Sequence, residues 1–135
     1  MSTHPLVHAF YSRIWNSGEE NVGDLLTSDF SFRGSLGTKA AGIPAFLDYV
    51  RPIRRSLADY RCEIIACVTE FPNAFARMHF SGLHTEAFRG FAPTGKLISW
   101  EGAALFTFKG DLITSLWVLG DLAGLDAALR ANATT

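Results

Sequence analysis

Helices first and an antiparallel meander after them, an α+β fold with the helices packed on one face of the sheet, is the architecture this sequence predicts. Three observations carry the expectation. Apolar residues recur at helical spacing up to Leu57, the period drops to two beyond Ala58-Asp59, and short polar turns then divide the chain into strand-length runs.

The first helix is expected over residues 5–15, where Leu6, Phe10 and Ile14 recur with Val7, Tyr11 and Trp15 beside them, the broad stripe of a core-facing helix. Asn16-Ser17-Gly18 ends it. Glu19 and Glu20 then open a short second helix carrying Val22, Leu25 and Leu26, their carboxylates suiting its N-terminal dipole. Gly34, Gly37 and Gly42 mark a loop. A third helix is expected over about residues 43–57 on Ile43, Phe46, Leu47, Val50 and Ile53, kinked or split by Pro52, which lacks an N–H for the helical ladder. Tyr60, Cys62, Ile64, Ala66 and Val68, alternating with Arg61 and Glu63, then read as a strand with one polar face. Phe71-Pro72-Asn73 turns the chain into a second strand over about residues 74–83. Residues 97–108 and 112–119 form a third and fourth around the hairpin turn Lys109-Gly110-Asp111. Asp121 begins a terminal helix with Leu122, Leu125 and Leu129 on one side.

At 135 residues the chain reads as one domain, residues 1–135, without repeat or linker. Its 48% hydrophobic and 19% charged residues exclude a disordered chain. No apolar run approaches the roughly 18 residues a membrane span requires. Twelve basic against thirteen acidic residues leave a charge of −1, without the basic footprint of a nucleic-acid binder. Cys62 and Cys67, five apart in one strand, are expected on opposite faces, which argues against a disulfide or a zinc pair. No basic segment leads into an apolar stretch at the N-terminus, so a cytoplasmic protein is expected.

Arg77, Ser81, His84, Phe88, Gly90, the run Ala92-Pro93-Thr94-Gly95, and Trp117 followed four residues on by Asp121 together resemble the SnoaL-like polyketide cyclases of the nuclear-transport-factor-2-like superfamily. Phe10-Tyr11, Trp15-Asn16-Ser17-Gly18 and Asp59-Tyr60 extend the resemblance over about residues 6–130. It implies a cone-shaped fold in which a strongly curved antiparallel sheet wraps around N-terminal helices and encloses an apolar pocket for a hydrophobic small molecule. It also implies chemistry without cofactor or metal, an intramolecular aldol condensation in which an aspartate near the end of the last strand carries the proton. A homodimer is expected through the sheet face the helices leave bare, with Glu101 and Thr107 as its polar members and Ala103 and Leu105 allowing close approach.

Asp121 matches the family's aspartate, and a carboxylate at the rim of an apolar pocket is placed to act as acid and base. An aspartate directly before a helix is also a preferred N-cap. Arg77 and His79 share one face of a strand, alternating with Met78 and Phe80. In the related limonene-type epoxide hydrolases an Arg-x-Asp pattern faces the pocket, so the resemblance puts Arg77 and His79 in the cavity as helpers that polarise a carbonyl. The outer face is the alternative. Epoxide hydrolysis by paired aspartates is disfavoured, since His79 and Leu119 stand where the two carboxylates would be.

Seventeen aromatic residues, 13% of the chain, suit a planar, aromatic or terpenoid ligand, although most such residues are core by base rate. Trp15, Phe32, Tyr49, Trp100, Trp117 and Leu119 are the candidate lining residues. Gly102 and Ala104, alternating with Trp100, stand where several aromatic-polyketide cyclases carry polar side chains, which is expected to enlarge the pocket and remove donors. That departure keeps a second reading open, a non-catalytic ligand-binding or dimerisation module of the same fold. His4 and His8, one helical turn apart, lack a third ligand, and Gly90 to Lys96 imitates a phosphate-binding loop only until Leu97.

Overall fold

The computed structural model describes residues 2–134, so the two ends of the expected domain lie outside the described residues. A first helix α1 (Pro5–Ala9) runs directly into a π-helical segment (Phe10–Asn16). Then come β1 (Leu26–Arg33), β2 (Lys39–Ala41), α2 (Ile43–Ser56), β3 (Leu57–Glu70), β4 (Asn73–His84), β5 (Leu97–Lys109), β6 (Leu112–Gly120) and α3 (Leu122–Ala133). The six strands form one open sheet in the order β2-β1-β6-β5-β4-β3, and its helix-covered face holds the core. The α+β layout with N-terminal helices on a sheet is the one expected. The sheet is mixed, because β1 pairs with β6 in parallel while the other neighbours are antiparallel.

The π-helical segment buries Phe10, Tyr11, Ile14 and Trp15. Its end is pinned by side chains. Asn16 pairs with the backbone of Cys62 in both directions, at 2.7 and 3.2 Å, as an extra strand would. Arg54 donates from Nε to the Trp15 carbonyl at 2.9 Å, and Gly18 beneath it has φ +75°, a left-handed conformation that favours glycine.

The helix expected from Glu19 is absent. Arg13 gathers the segment, holding Glu19 at 2.6 Å and Asp24 at 2.9 Å, and Leu26 already begins β1 by pairing with Ile113. Val22, Leu25 and Leu26 are buried nonetheless. The loop expected around Gly34 to Gly42 contains β2 and follows a full strand, whose alternation of buried Phe30 and Phe32 with exposed Asp29 and Ser31 is a strand signal too short to stand out. Pro52 does not break α2, which continues to Ser56. The proline lies on the exposed side, where the carbonyl left without a helical partner is open to solvent.

β3 carries a register shift between Ile64 and Ala66, where Ile64 faces Met78 and Ala66 faces Arg77. One extra residue reverses the phase of the strand. Cys62 and Cys67 are therefore both buried on the core side, correcting the expectation of opposite faces, and both are free thiols. Among the described residues no helix is long and apolar enough to cross a membrane.

Candidate functional site

Between the helices and the concave side of the sheet lies a cavity walled by aromatic and aliphatic side chains. The π-helical segment supplies Phe10, Tyr11 and Trp15, α2 supplies Tyr49 and Ile53, and the turn after β1 supplies Ser35. The strands contribute Phe32, Tyr60, Phe80, Trp100, Leu116 and Val118. The gap between atoms measures about 320 Å³ counting its open side, of which only about 10 Å³ admits a water-sized sphere. That is roughly the room of one water. All lining residues are buried except Ser35 and Tyr49, which are half-buried, so these two mark its mouth. There the Tyr49 hydroxyl accepts from the Leu36 backbone N–H at 3.3 Å, tying α2 to the turn.

No carboxylate, imidazole, amine or guanidinium lines this cavity; its polarity comes from three phenols, two indoles and the Ser35 hydroxyl. Burial pushes the Tyr11 and Tyr60 phenols well above their ordinary pKa, with the neighbouring Cys62 adding in the same direction. Burial likewise raises Tyr49, offset in part by its hydrogen bonds to Leu36 and Ser35. All three are held neutral. Two polar atoms of the wall, the Tyr11 hydroxyl and Nε1 of Trp100, are buried without a partner.

Of the residues singled out from the sequence, Trp15, Phe32, Tyr49 and Trp100 line the cavity. The others lie elsewhere. Arg77 and His79 project from the outer side of β4, because Met78 and Phe80 take the inward positions of the alternation, and Arg77 faces Glu101 of β5 at 3.8 Å. Trp117 and Leu119 are likewise on the outer face, 46% and 51% exposed, while Leu116 and Val118 face inward. The guanidinium of Arg33 covers the Trp117 ring at 5.6 Å.

Gly102 and Ala104 do lie on the inner side, but they enlarge nothing. A Cβ on Gly102 would come within 2.5 Å of Phe80 Cε2 and 2.9 Å of the Leu119 carbonyl oxygen, and Ala104 is fully buried. Phe80 occupies the room the glycine leaves.

Asp121 is exposed and caps α3, accepting from the Gly124 N–H at 2.9 Å. It does not line the cavity, yet it follows Gly120, whose side faces the wall. A Cβ there would lie 2.9 Å from the Ser35 carbonyl oxygen and 3.4 Å from Trp100 Nε1. Nearby on α3, Asp126 holds Arg89 through two bonds of 2.6 and 2.9 Å, and the guanidinium keeps its carboxyl below the usual carboxylate range.

Tyr11, Tyr60, Phe80, Leu116 and Val118 also line the cavity without standing out in the sequence. Strand alternation gives the parity of the last four and the helical stripe that of Tyr11, and only the packing of the helical segment on the ordered strands brings them to one space.

Solved structures resemble the chain over nearly its whole length. A candidate polyketide cyclase from Acidithiobacillus ferrooxidans aligns with a TM-score of 0.84 at 20% identity, covering 95% of this chain and 94% of its own. TsrD from Streptomyces laurentii aligns at 0.81 with 24% identity, over 93% and 92%. A protein of ketosteroid isomerase-like fold from Catenulispora acidiphila, bound to trimethylamine, aligns at 0.79 with 16% identity, over 96% and 95%. At these identities the likeness establishes the fold. Among curated proteins none matches. The family described as SnoaL-like polyketide cyclase matches residues 6–129, nearly the full span from α1 to α3, and on that match the chain belongs to the SnoaL-like polyketide cyclase family.

Proposed function

We propose that the protein binds a flat, hydrophobic carbonyl compound of the polyketide type in the aromatic cavity and promotes its enolisation, the step that precedes aldol ring closure or isomerisation, without a cofactor. The observation that carries this reading is the cavity itself, walled mainly by aromatic and aliphatic side chains, free of ionised groups, and half-buried at Ser35 and Tyr49. Family membership supports the substrate class. Anything larger than water enters only if Tyr49 or the turn holding its hydroxyl yields.

Asp121 is the proton carrier in this proposal, because it stands one residue beyond the Gly120 backbone that abuts Trp100 and Ser35. The substrate does much of the work, since a methylene between a carbonyl and an aromatic ring is already acidic. 2-Tetralone offers such a methylene, and deuterium uptake at that carbon in D2O measures enolisation directly. The expected result is accelerated uptake with the native protein, lost in Asp121→Asn, while the melting temperature holds because the amide oxygen still caps α3. Uptake undiminished in Asp121→Asn removes Asp121 from the chemistry.

The second reading, a non-catalytic binding module, is favoured by the absence of any ionised group among the lining residues. It predicts binding of 2-tetralone with no uptake at all.

The functional unit is proposed to be a homodimer joined through the outer face of the sheet. Phe75, Leu105 and Trp117 stand side by side across β4, β5 and β6, with Leu119 opposite Ala103 in the adjoining row, and the four large side chains are 42% to 51% exposed. The Arg77 and Glu101 side chains beside them, both more than half exposed, give the face paired opposite charges that a second copy can match.

A further inference from the structure

We propose that the Tyr11 hydroxyl and the Trp100 indole N–H form a donor pair that receives the carbonyl oxygen of the ligand and stabilises its enolate, an inference that rests on the cavity being the ligand site. Both side chains are at least 95% buried, at 3% and 4% exposure, and neither polar atom has a hydrogen-bond partner. A buried donor left unpaired costs free energy that a folded protein ordinarily avoids. The third such atom among the described residues, Nε2 of His84, belongs to a side chain outside this cavity.

The two donors come from different elements, the π-helical segment and β5, and both side chains line the one cavity, which has room for a single water. In this proposal one oxygen atom sits in that cavity and accepts from both. The chemistry of the pair selects its guest. An indole N–H only donates, so the group that satisfies it must be an acceptor, and an oxygen with two lone pairs serves both donors at once.

A hydrocarbon leaves both donors unpaired, and an ammonium has no lone pair to offer. Burial also holds the Tyr11 proton in place, so the phenol donates across the neutral range. In enolisation the α C–H bond breaks and its proton passes to the Asp121 carboxylate. The C–H electron pair forms the C=C bond, and the carbonyl π pair moves to oxygen. Donors fixed where that negative charge develops hold the enolate more strongly than the ketone, because their dipoles are already oriented.

The test compares 2-tetralone with tetralin, the same two rings without the oxygen, on the native protein and on Tyr11→Phe, which removes the hydroxyl and leaves the ring. The pair predicts that Tyr11→Phe weakens 2-tetralone about tenfold and tetralin by less than about twofold. It also predicts that the Trp100 indole N–H proton resonance of the native protein moves downfield with 2-tetralone but not with tetralin. The resonance decides the matter even if the variant does not fold.

Equal weakening of both ligands, or an unmoved indole proton, overturns the donor pair and leaves the cavity as the ligand site. A pair that serves an internal water only gives the same result. Failure of both ligands to bind the native protein is a different outcome, which removes the cavity reading and the pair with it.

Discussion

Gly102 of β5 lies directly against the ring of Phe80 in β4, so close that a Cβ on the glycine would stand 2.5 Å from Phe80 Cε2. Small residues at this place on the inner face therefore mark tight packing between strands. Gly102→Ala is expected to destabilise the fold by about 1–3 kcal/mol, the usual cost of forcing extra atoms into a filled core. Gly102→Ala combined with Phe80→Leu is expected to recover part of that loss, since the ring edge that clashes is then gone. Chemical denaturation of the two variants checks both statements, and an unchanged midpoint in Gly102→Ala is the result that contradicts them.

The three tyrosines make alkaline stability another test. Tyr11 and Tyr60 are raised by burial and by Cys62, Tyr49 by burial, and Cys62 itself is pushed up by burial with Glu63 adding to it. In each case the folded-state pKa exceeds the unfolded one, so the stability that neutrality contributes is complete below the unfolded value and declines as pH rises beyond it. The decline is expected to begin above about pH 8.5, where an unfolded thiol ionises, and to steepen above about pH 10 for the phenols. Ultraviolet absorbance is expected to show no phenolate until the fold opens. Phenolate appearing at pH 10 with the far-ultraviolet circular dichroism intact is the contrary outcome.

The outer face yields a prediction about assembly. Light scattering at micromolar concentration is expected to give the mass of a dimer, and Trp117→Glu together with Leu105→Glu that of a folded monomer, because carboxylates in the row of Phe75, Leu105 and Trp117 repel their counterparts across a two-fold interface. A native monomer refutes the assembly.

What the sequence disclosed depended on the range of the signal. Helical stripes and strand alternation were readable from Phe46 through Phe108, and the Asp121 cap was legible from its place before Leu122. The facing of the strands was not. Arg77 and Trp117 alternate with inward residues as expected, but which parity faces inward follows from pairing across β4, β5 and β6, where Phe75, Leu105 and Trp117 align on the side away from the helices. The bulge at Ile64 and Ala66 gave no local sign, and it alone puts Cys67 beside the core. β1 was hidden because Phe30 and Phe32 acquire their strand through a parallel partner that lies at the far end of the chain.

The three indole N–H resonances report where the ligand sits, because Trp15 and Trp100 line the cavity while Trp117 stands on the opposite face of the sheet. Titration of the ¹⁵N-labelled protein with 2-tetralone is predicted to shift the Trp15 and Trp100 signals together and leave Trp117 at the position set by its contact with Arg33. Movement of Trp117 with Trp15 and Trp100 unchanged would put the ligand on the outer face and rule out the aromatic cavity as its site.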